Sequence, residues 1–344
     1  MIRSYSYRVD VLRNGAVVAE LKATAPPSVY CDSAADIKAS MAGTFAFNPV
    51  VNYLTDELKV WQIIDGVEAP LGVFLTGTYT DIYDEAGTHV TRLECYDKAY
   101  LLQQTRTENI YHISAGTNYV AAIEQLLLAA GITLYIVTPT AHTLATDRED
   151  WEVGTDYLTI VNTLLGEINY NPIWFSADGY GILEPSAEPD AGRIDHTYDG
   201  STELSVLYPD CTAETDIFDK PNVFLVICSN PDLPAPMSAS AVNDNPLSSL
   251  STFKRGRRIV DIRYVDNVAS QEELDAYAKH ICFDSMLSSE TVTVKTALMP
   301  GHGLLDTVAI NHPKIQGIFQ ETSWGMTLAP GQYMTHTLRR MILI

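Results

Sequence analysis

Apolar residues in this chain follow two periods, and the switch between them is clearest from Ser270 to Ile310. Ser270 and Glu273 form an S-x-x-E capping box, so a helix is expected to start there. Leu274, Tyr277, Ala278 and Ile281 then follow the i, i+3, i+4, i+7 rule and make one face, with Gln271, Glu272, Asp275, Lys279 and Asp284 on the other side. After Ser289 the period drops to two: Val292 and Val294 point one way, Thr291, Thr293 and Lys295 the other. Pro300, Gly301 and Gly303 interrupt the strand, and Leu304 to Ile310 resumes it. No catalytic group stands out in this segment, which reads as a structural cassette.

The same reading extends along the chain. In residues 1–106, Tyr5, Tyr7, Val9 and Val11 alternate with Ser6, Arg8 and Asp10, and Asn14-Gly15 signals a hairpin with Val17 to Leu21 as its return strand. Asp36 to Phe47 is extended, with Gly43 marking a bulge. Leu58 to Ile64 ends at a second hairpin turn, Asp65-Gly66, and Leu71 to Tyr83 pairs with Thr88 to Cys95. Strands at such short spacing predict a small barrel or sandwich. Residues 107–206 change character: Thr117 to Ala130, with Thr117 as the expected cap, and Asp156 to Ile168 have helical spacing, and a hairpin from Pro172 to Glu184 turns at Asp178-Gly179. Val223 to Cys228 is a continuous apolar run, the signature of a strand buried on both faces. Residues 229–254, rich in Pro, Ser and Asn, predict a long exposed loop. Arg257 to Val265, the cassette and a hairpin from Ile315 to Leu343 complete the chain.

Composition narrows the classes. With 344 residues, 46% of them hydrophobic, the chain can bury several cores and is expected to form two to four domains. Its 43 acidic residues against 22 basic ones give a net charge of −21, which argues against sequence-specific nucleic-acid binding. Cys31, Cys95, Cys211, Cys228 and Cys282 are odd in number and widely spaced, so free thiols made in a reducing cytosol are expected rather than a disulfide framework or zinc site. No stretch has the length and hydropathy of a membrane span, and the N-terminus lacks an apolar signal core.

Candidate chemistry is sparse. His302, Asp306 and His312 lie close in sequence and His336 could join them, but the spacing matches no defined metal site, and surface or edge histidines are the expectation. Asp147, Glu149 and Asp150, or Glu184 and Glu188, could pair as glycosidase carboxylates; among 43 acids they are read as solvated faces. Lys254, Arg255, Arg257 and Arg258 form the one basic cluster, read as a contact with acidic surface of another domain or subunit. The 19 tyrosines suit interfaces that are partly dry and partly wet. No catalytic, cofactor-binding or metal residue is assigned, no cofactor is expected, and the chain is not expected to be an enzyme.

The order of these segments resembles the gp27-like baseplate hub proteins of tailed bacteriophages and related contractile injection systems. The likeness rests on Pro70 to Leu102, Gly166 to Pro185, Asp219 to Cys228, Arg255 to Ile310 and Glu321 to Arg340, in that order. Met299 to Val308 departs from the plainer Pro-x-x-x-x-Gly-Asp-Val turn of the family. The resemblance implies an α+β, mostly β fold: two tail-tube-like β-barrels with an inserted α+β domain. The expected boundaries are a first barrel at 1–106, an insert at 107–206, a second barrel from 207–230 and 286–344, and a loop and helix at 231–285 packed against the insert and second barrel. It further implies a homotrimeric ring that adapts a sixfold tail tube to a threefold tip, with a tail tube or distal tail protein, a tip or spike protein and a tape measure protein as partners. The expected place is the virion, at the tail tip, after assembly in the host cytoplasm. The rivals are a tail-associated peptidoglycan hydrolase and a receptor- or carbohydrate-binding tip module using aromatics such as Trp151 or Tyr180.

Overall fold

In the computed structural model, which describes residues 4–186, 192–201, 205–218, 220–229, 236–265, 267–287 and 290–341, the chain opens with two tight hairpins. Asn14 and Gly15, at φ 51° and 77°, join β1 (Tyr5–Arg13) to β2 (Ala16–Glu20). Positive φ at both central residues is the type I′ geometry that matches strand twist, and Asn-Gly supplies it at low cost. β3 (Ala23–Asp32) and β4 (Ala39–Ala46) follow. Asp65 and Gly66, at 51° and 80°, then join β5 (Glu57–Ile64) to the long β6 (Val67–Tyr83), and β7 (His89–Tyr96) returns along it. The spatial order is β2-β1-β5-β6-β7-β4-β3. Every second residue turns inward, so Val9, Val11, Met41, Phe45, Leu58, Val60, Phe74 and Leu93 meet in one core around which the sheet winds.

The next segment has its own core. It contains α1 (Ala99–Gln104), β8 (Tyr111–Ile113), α2 (Tyr119–Ala129), β9 (Tyr135–Val137), β10 (Arg148–Trp151), α3 (Tyr157–Glu167), β11 (Trp174–Phe175) and β12 (Gly181–Leu183). Asn118, rather than Thr117, caps α2 by accepting from Ala121 N at 3.2 Å, and Asp156 caps α3 by accepting from Thr159 N at 2.8 Å. The facing sides of α2 and α3 bring Ile123, Leu126 and Leu127 against Ile160, Val161 and Leu164.

β13 (His196–Asp199) and β14 (Leu207–Thr215) begin a second large-sheet segment, which is interrupted by β15 (Val223–Cys228), β16 (Met237–Val242), α4 (Thr252–Arg255), β17 (Val260–Val265) and α5 (Gln271–Leu287). It resumes with β18 (Glu290–Ala297), β19 (Thr307–Asn311), β20 (Gln316–Thr327) and β21 (Tyr333–Arg340). Three expectations are corrected here. Val223–Cys228 does not join the second barrel: β15 is the centre of a separate sheet, antiparallel to β16 and parallel to β17. α5 lies mainly on this sheet, where Leu274, Ala278 and Ile281 meet Phe224, Val226 and Cys228. It touches the insert through Ala269 N donating to Glu167 O just before the helix, and the second barrel through Phe283 beside Met341. An apolar run reports how deeply a strand is buried, not which sheet buries it. The stretch read as a loop at 229–254 also contains β16 and α4, although 230–235 lie outside the described residues. Val292, Val294, Val308 and Ile310 do line the second barrel's core, with Phe319 and Leu338.

The two large-sheet segments share a plan. The order β5-β6-β7-β4-β3 in the first matches β19-β20-β21-β18-β14 in the second. Each has a long strand with a one-residue bulge against its following partner, between Thr76 and Thr78 in β6 and between Glu321 and Ser323 in β20. In each, the preceding strand stops two residues before the bulged one, at Leu75 opposite Glu57 and at Gln320 opposite Thr307. The freed edge of β20 then takes up β3, from Ser323 opposite Asp32 to Thr327 opposite Ser28, and this pairing joins both halves into one 13-stranded sheet.

Candidate functional site

A buried polar cluster sits at that seam. Glu321 is the last residue of β20 before the bulge, and it is 1% exposed. Its Oε2 accepts from Nδ1 of His302 and its Oε1 from Nδ1 of His336, both at 2.5 Å. β21 supplies His336 through simple alternation, since Met334 and Leu338 on either side also face inward. The loop before β19 supplies His302, whose Nε2 accepts from the Tyr198 hydroxyl at 2.6 Å. Burial holds the Tyr198 phenol protonated, with the Glu321 and Asp306 charges acting the same way. Burial also lowers the pKa of His302 against the pull of Glu321. Both point to a neutral His302 ring whose one N–H, on Nδ1, donates a hydrogen bond to the Glu321 carboxylate.

On the other side, Thr296 Oγ1 lies 2.8 Å from His336 Nε2 and 2.8 Å from the Ala297 carbonyl. Both nitrogens of His336 therefore have partners, Glu321 on Nδ1 and the Thr296 hydroxyl on Nε2. Burial is the largest influence on Glu321 and opposes its charge, but the imidazole donors and their fields together outweigh it and lower its pKa. His196 stacks on His302 with ring centroids 3.8 Å apart and meets Asp306 Oδ2 at 3.0 Å. Burial disfavours its charged form, yet Asp306, aided by Glu321 and Asp195, raises its pKa overall. Asp306 also accepts from Gly303 N at 2.7 Å, and Trp324, the second β20 residue past the bulge, donates to Gly303 O at 3.0 Å. The cluster thus ties the 298–306 loop, β13, β20 and β21 together at the point where the two halves meet.

Two trios here, His196–His302–Asp306 and His302–Glu321–His336, bring donor atoms within 4.8 Å of one another. Donors around one zinc ion held at about 2.0–2.1 Å in a tetrahedron stand about 3.3 Å apart. The 2.5 Å contacts of Glu321 are too close for that, and both nitrogens of His302 and His336 already have partners. The arrangement is a satisfied hydrogen-bond clamp.

The expectation of surface or edge histidines is therefore corrected: His302, His312 and His336 are all buried. His302, Asp306 and His336 come together, whereas His312 turns away to Cys211 Sγ at 3.6 Å and the Pro209 carbonyl at 3.2 Å. The sequence reading missed Glu321, His196 and Tyr198; the inward slot of His336 between Met334 and Leu338 was the available signal. The acidic candidates stay apart. Asp147 accepts from Ala115 N, Glu149 meets His112, Glu184 accepts from Trp174 Nε1, and Glu188 and the Asp150 side chain lie outside the described residues. In the basic cluster, Arg255 donates to Lys220 O and Ile217 O, and Lys254, Arg257 and Arg258 are exposed. Trp151 is buried in the insert core under Arg148, so it offers no loop surface, while Tyr180 is 38% exposed. Among the described residues, no helix is long and apolar enough to cross a membrane.

No protein-family model matches the sequence, and no curated protein matches it significantly. Solved structures do. The tail protein from Neisseria meningitidis MC58 aligns with a TM-score of 0.69 at 14% identity, over 97% of this chain and 96% of that one. The 43 kDa tail protein of prophage MuSo2 from Shewanella oneidensis aligns at 0.65 and 11% identity, over 97% and 98%. An E. coli component of the type VI secretion system, described as similar to the T4 bacteriophage tail proteins gp27 and gp5, aligns at 0.54 and 10% identity, over 96% and 76%. The chain has the α+β, mostly β fold of phage tail proteins, over nearly its whole length.

Proposed function

We propose that the chain is a structural hub protein at the distal end of a phage tail, where it forms a trimeric ring between a sixfold tail tube and a threefold tip and lines part of the DNA conduit. The observation that carries this reading is internal: two sheets of matching strand order, joined side by side through β20 and β3. Three such chains would present six near-equivalent sheets, which resolves a mismatch between sixfold and threefold partners. Likeness in fold to phage tail proteins supports a tail role, and a net charge of −21 suits a conduit through which DNA passes without sticking. The role is architectural rather than catalytic. A tail tube or distal tail protein, a tip or spike protein and a tape measure protein are the partners this reading assigns.

Electron microscopy of the purified chain tests it. Threefold rings with a central hole are expected. A particle that stays monomeric at high concentration and binds no tube protein refutes the reading.

A further inference from the structure

The plan shared by the two halves leaves two strand edges in matching positions, and among the described residues neither has a partner strand. β20 uses its edge past the bulge to bind β3. Among the described residues, the counterpart edge on β6, from Thr78 to Tyr83 on the side away from β7, has no strand beside it, and the counterpart of β3, which is β14, pairs with β18 alone. We propose that β14 of one copy pairs antiparallel with the distal half of β6 in a second copy, in the register that β3 takes on β20. This deepens the ring reading and rests on it.

The register follows by counting from the bulges. Gly77 stands where Thr322 stands, so Thr78, Tyr79 and Thr80 correspond to Ser323, Trp324 and Gly325. On the other side, Met41 opposite Cys95 corresponds to Val292 opposite Leu338, which places Ala213 where Val29 is and Glu214 where Tyr30 is. Gly325 lies opposite Tyr30 within the chain, so Thr80 lies opposite Glu214 of the neighbour. The flanking backbone bonds carry over as well. Ser33 N donates to Thr322 O, and Leu328 N to Pro27 O, each at 2.8 Å. Their counterparts are Ile217 N to Gly77 O and Tyr83 N to Cys211 O.

Exposure points the same way. At the internal seam, Trp324 and Leu328 are 5% and 0% exposed because they bury themselves in the first half's core. Their counterparts on β6, Tyr79 and Tyr83, are 47% and 70% exposed, and Phe218 just beyond β14 is 87% exposed. Edge strands in soluble proteins are normally blunted or covered. An open edge flanked by exposed aromatics on one element, and an open edge followed by exposed Phe218 on the other, fit each other when the internal seam is used as the template. One position departs from the template: Asp81 replaces Met326, and there Thr91 and His89 satisfy the carboxylate at 2.8 and 3.0 Å.

Disulfide trapping in the full chain tests the register. Directly opposed strand positions fall within the Cα range that a disulfide spans, whereas positions offset by two residues do not. Thr80→Cys with Glu214→Cys is expected to form inter-chain disulfides under mild oxidation at least tenfold faster than Thr80→Cys with Thr212→Cys, with both single variants as background for the native thiols. The substituted positions are exposed, and circular dichroism under reducing conditions confirms that each variant folds. Sedimentation of the reduced protein separates the two layers of the argument. Assembly without preferential trapping of the Thr80–Glu214 pair overturns this seam and leaves the ring reading intact. A chain that is monomeric throughout overturns both.

Discussion

Replacing Glu321 with alanine removes both acceptors of the clamp at once. His302 and His336 then each hold an Nδ1 donor against a cavity in a site where the rings and the carboxylate are about 1% exposed. A buried donor left without a partner costs about 1–3 kcal/mol, and breaking one side of a buried ionic contact costs about 3–5 kcal/mol. Two orphaned donors give about 2–6 kcal/mol by the first route, so the two routes agree near 4 kcal/mol. The loss is local: Glu321 N donates to Asp306 O and Ser33 N to Thr322 O, and these amides report on opening of the seam. At about 1.4 kcal/mol per factor of ten, their hydrogen exchange should quicken by about a thousandfold, while amides in α2 and α3 of the insert stay at wild-type rates. Glu321→Gln, which keeps one acceptor, should fall between the two. Seam amides in Glu321→Ala that exchange within threefold of wild type would refute the clamp.

Other outcomes follow from the same geometry. Acidification should loosen the seam from about pH 6.5 downward, because an unfolded chain protonates His302 there while the folded site holds it neutral, and Glu321 adds a further loss as pH falls from the ordinary carboxylate range through its own lowered pKa. His196, raised by Asp306, works the other way and contributes stability that is lost as pH rises through its folded pKa; exchange at Glu321 N across pH 5–8 reads the balance. Burial pushes Asp97 up to about 6, so the first half should gain stability as pH falls from 6 towards 4, seen as slower exchange at Ala39 and Ala99, whose amides donate to this carboxylate. In the insert, Arg148→Met should cost about 3–5 kcal/mol because Glu167, 2.7 Å away, stays buried, and Arg148→Met with Glu167→Leu should cost less than the sum of the single changes in urea unfolding. Asp156→Ala should cost about 1 kcal/mol by removing the cap on Thr159 N, measured by the same unfolding.

What was legible in the sequence is what nearby residues decide. The Asn14-Gly15 and Asp65-Gly66 turns, the Ser270 cap and the alternation of Val292 with Val294 all depend on contacts within a few positions. Thr117 was displaced as a cap by its neighbour Asn118, whose amide also donates to the Thr140 and His142 carbonyls, a long-range contribution that no local rule weighs. β15 is a strand as expected, but it lies in another sheet and is fully covered only on the Phe224–Val226–Cys228 face under α5, with Leu225 and Ile227 on the other face partly exposed; such an apolar run looks the same beneath any helix. The clamp was half visible. His302, Asp306 and His336 were noticed as a group, but Glu321 and Tyr198 come from other strands, and only the fold brings them within reach.

The clamp acquires a further meaning from the matching plan of the two halves. If both seams share one geometry, the chain must keep β3 on β20 and leave β6 for a neighbour. Counting from the bulges, Glu321, His336 and Thr296 occupy the places held by Thr76, Leu93 and Phe45 in the first half. The internal seam is therefore built on a buried polar network, whereas the proposed one would rest on a mostly apolar wall. A polar network tolerates only the partner that satisfies it, because each unmatched group carries a desolvation cost. Trp324 fits this account: its ring enters the first half's core while its Nε1 donates to Gly303 O in the clamp loop, so β3 docking and clamp closure happen together. At β6 the corresponding ring is Tyr79, which is left half exposed within its own chain. Glu321→Ala should then do more than loosen the internal seam. By making the two edges of the long strands more alike, it should let β14 of a neighbour compete with β3 for β20, and the proposed rings should give way to irregular, polydisperse assemblies in electron micrographs. Uniform rings from Glu321→Ala would show that the clamp stabilises the seam without selecting it.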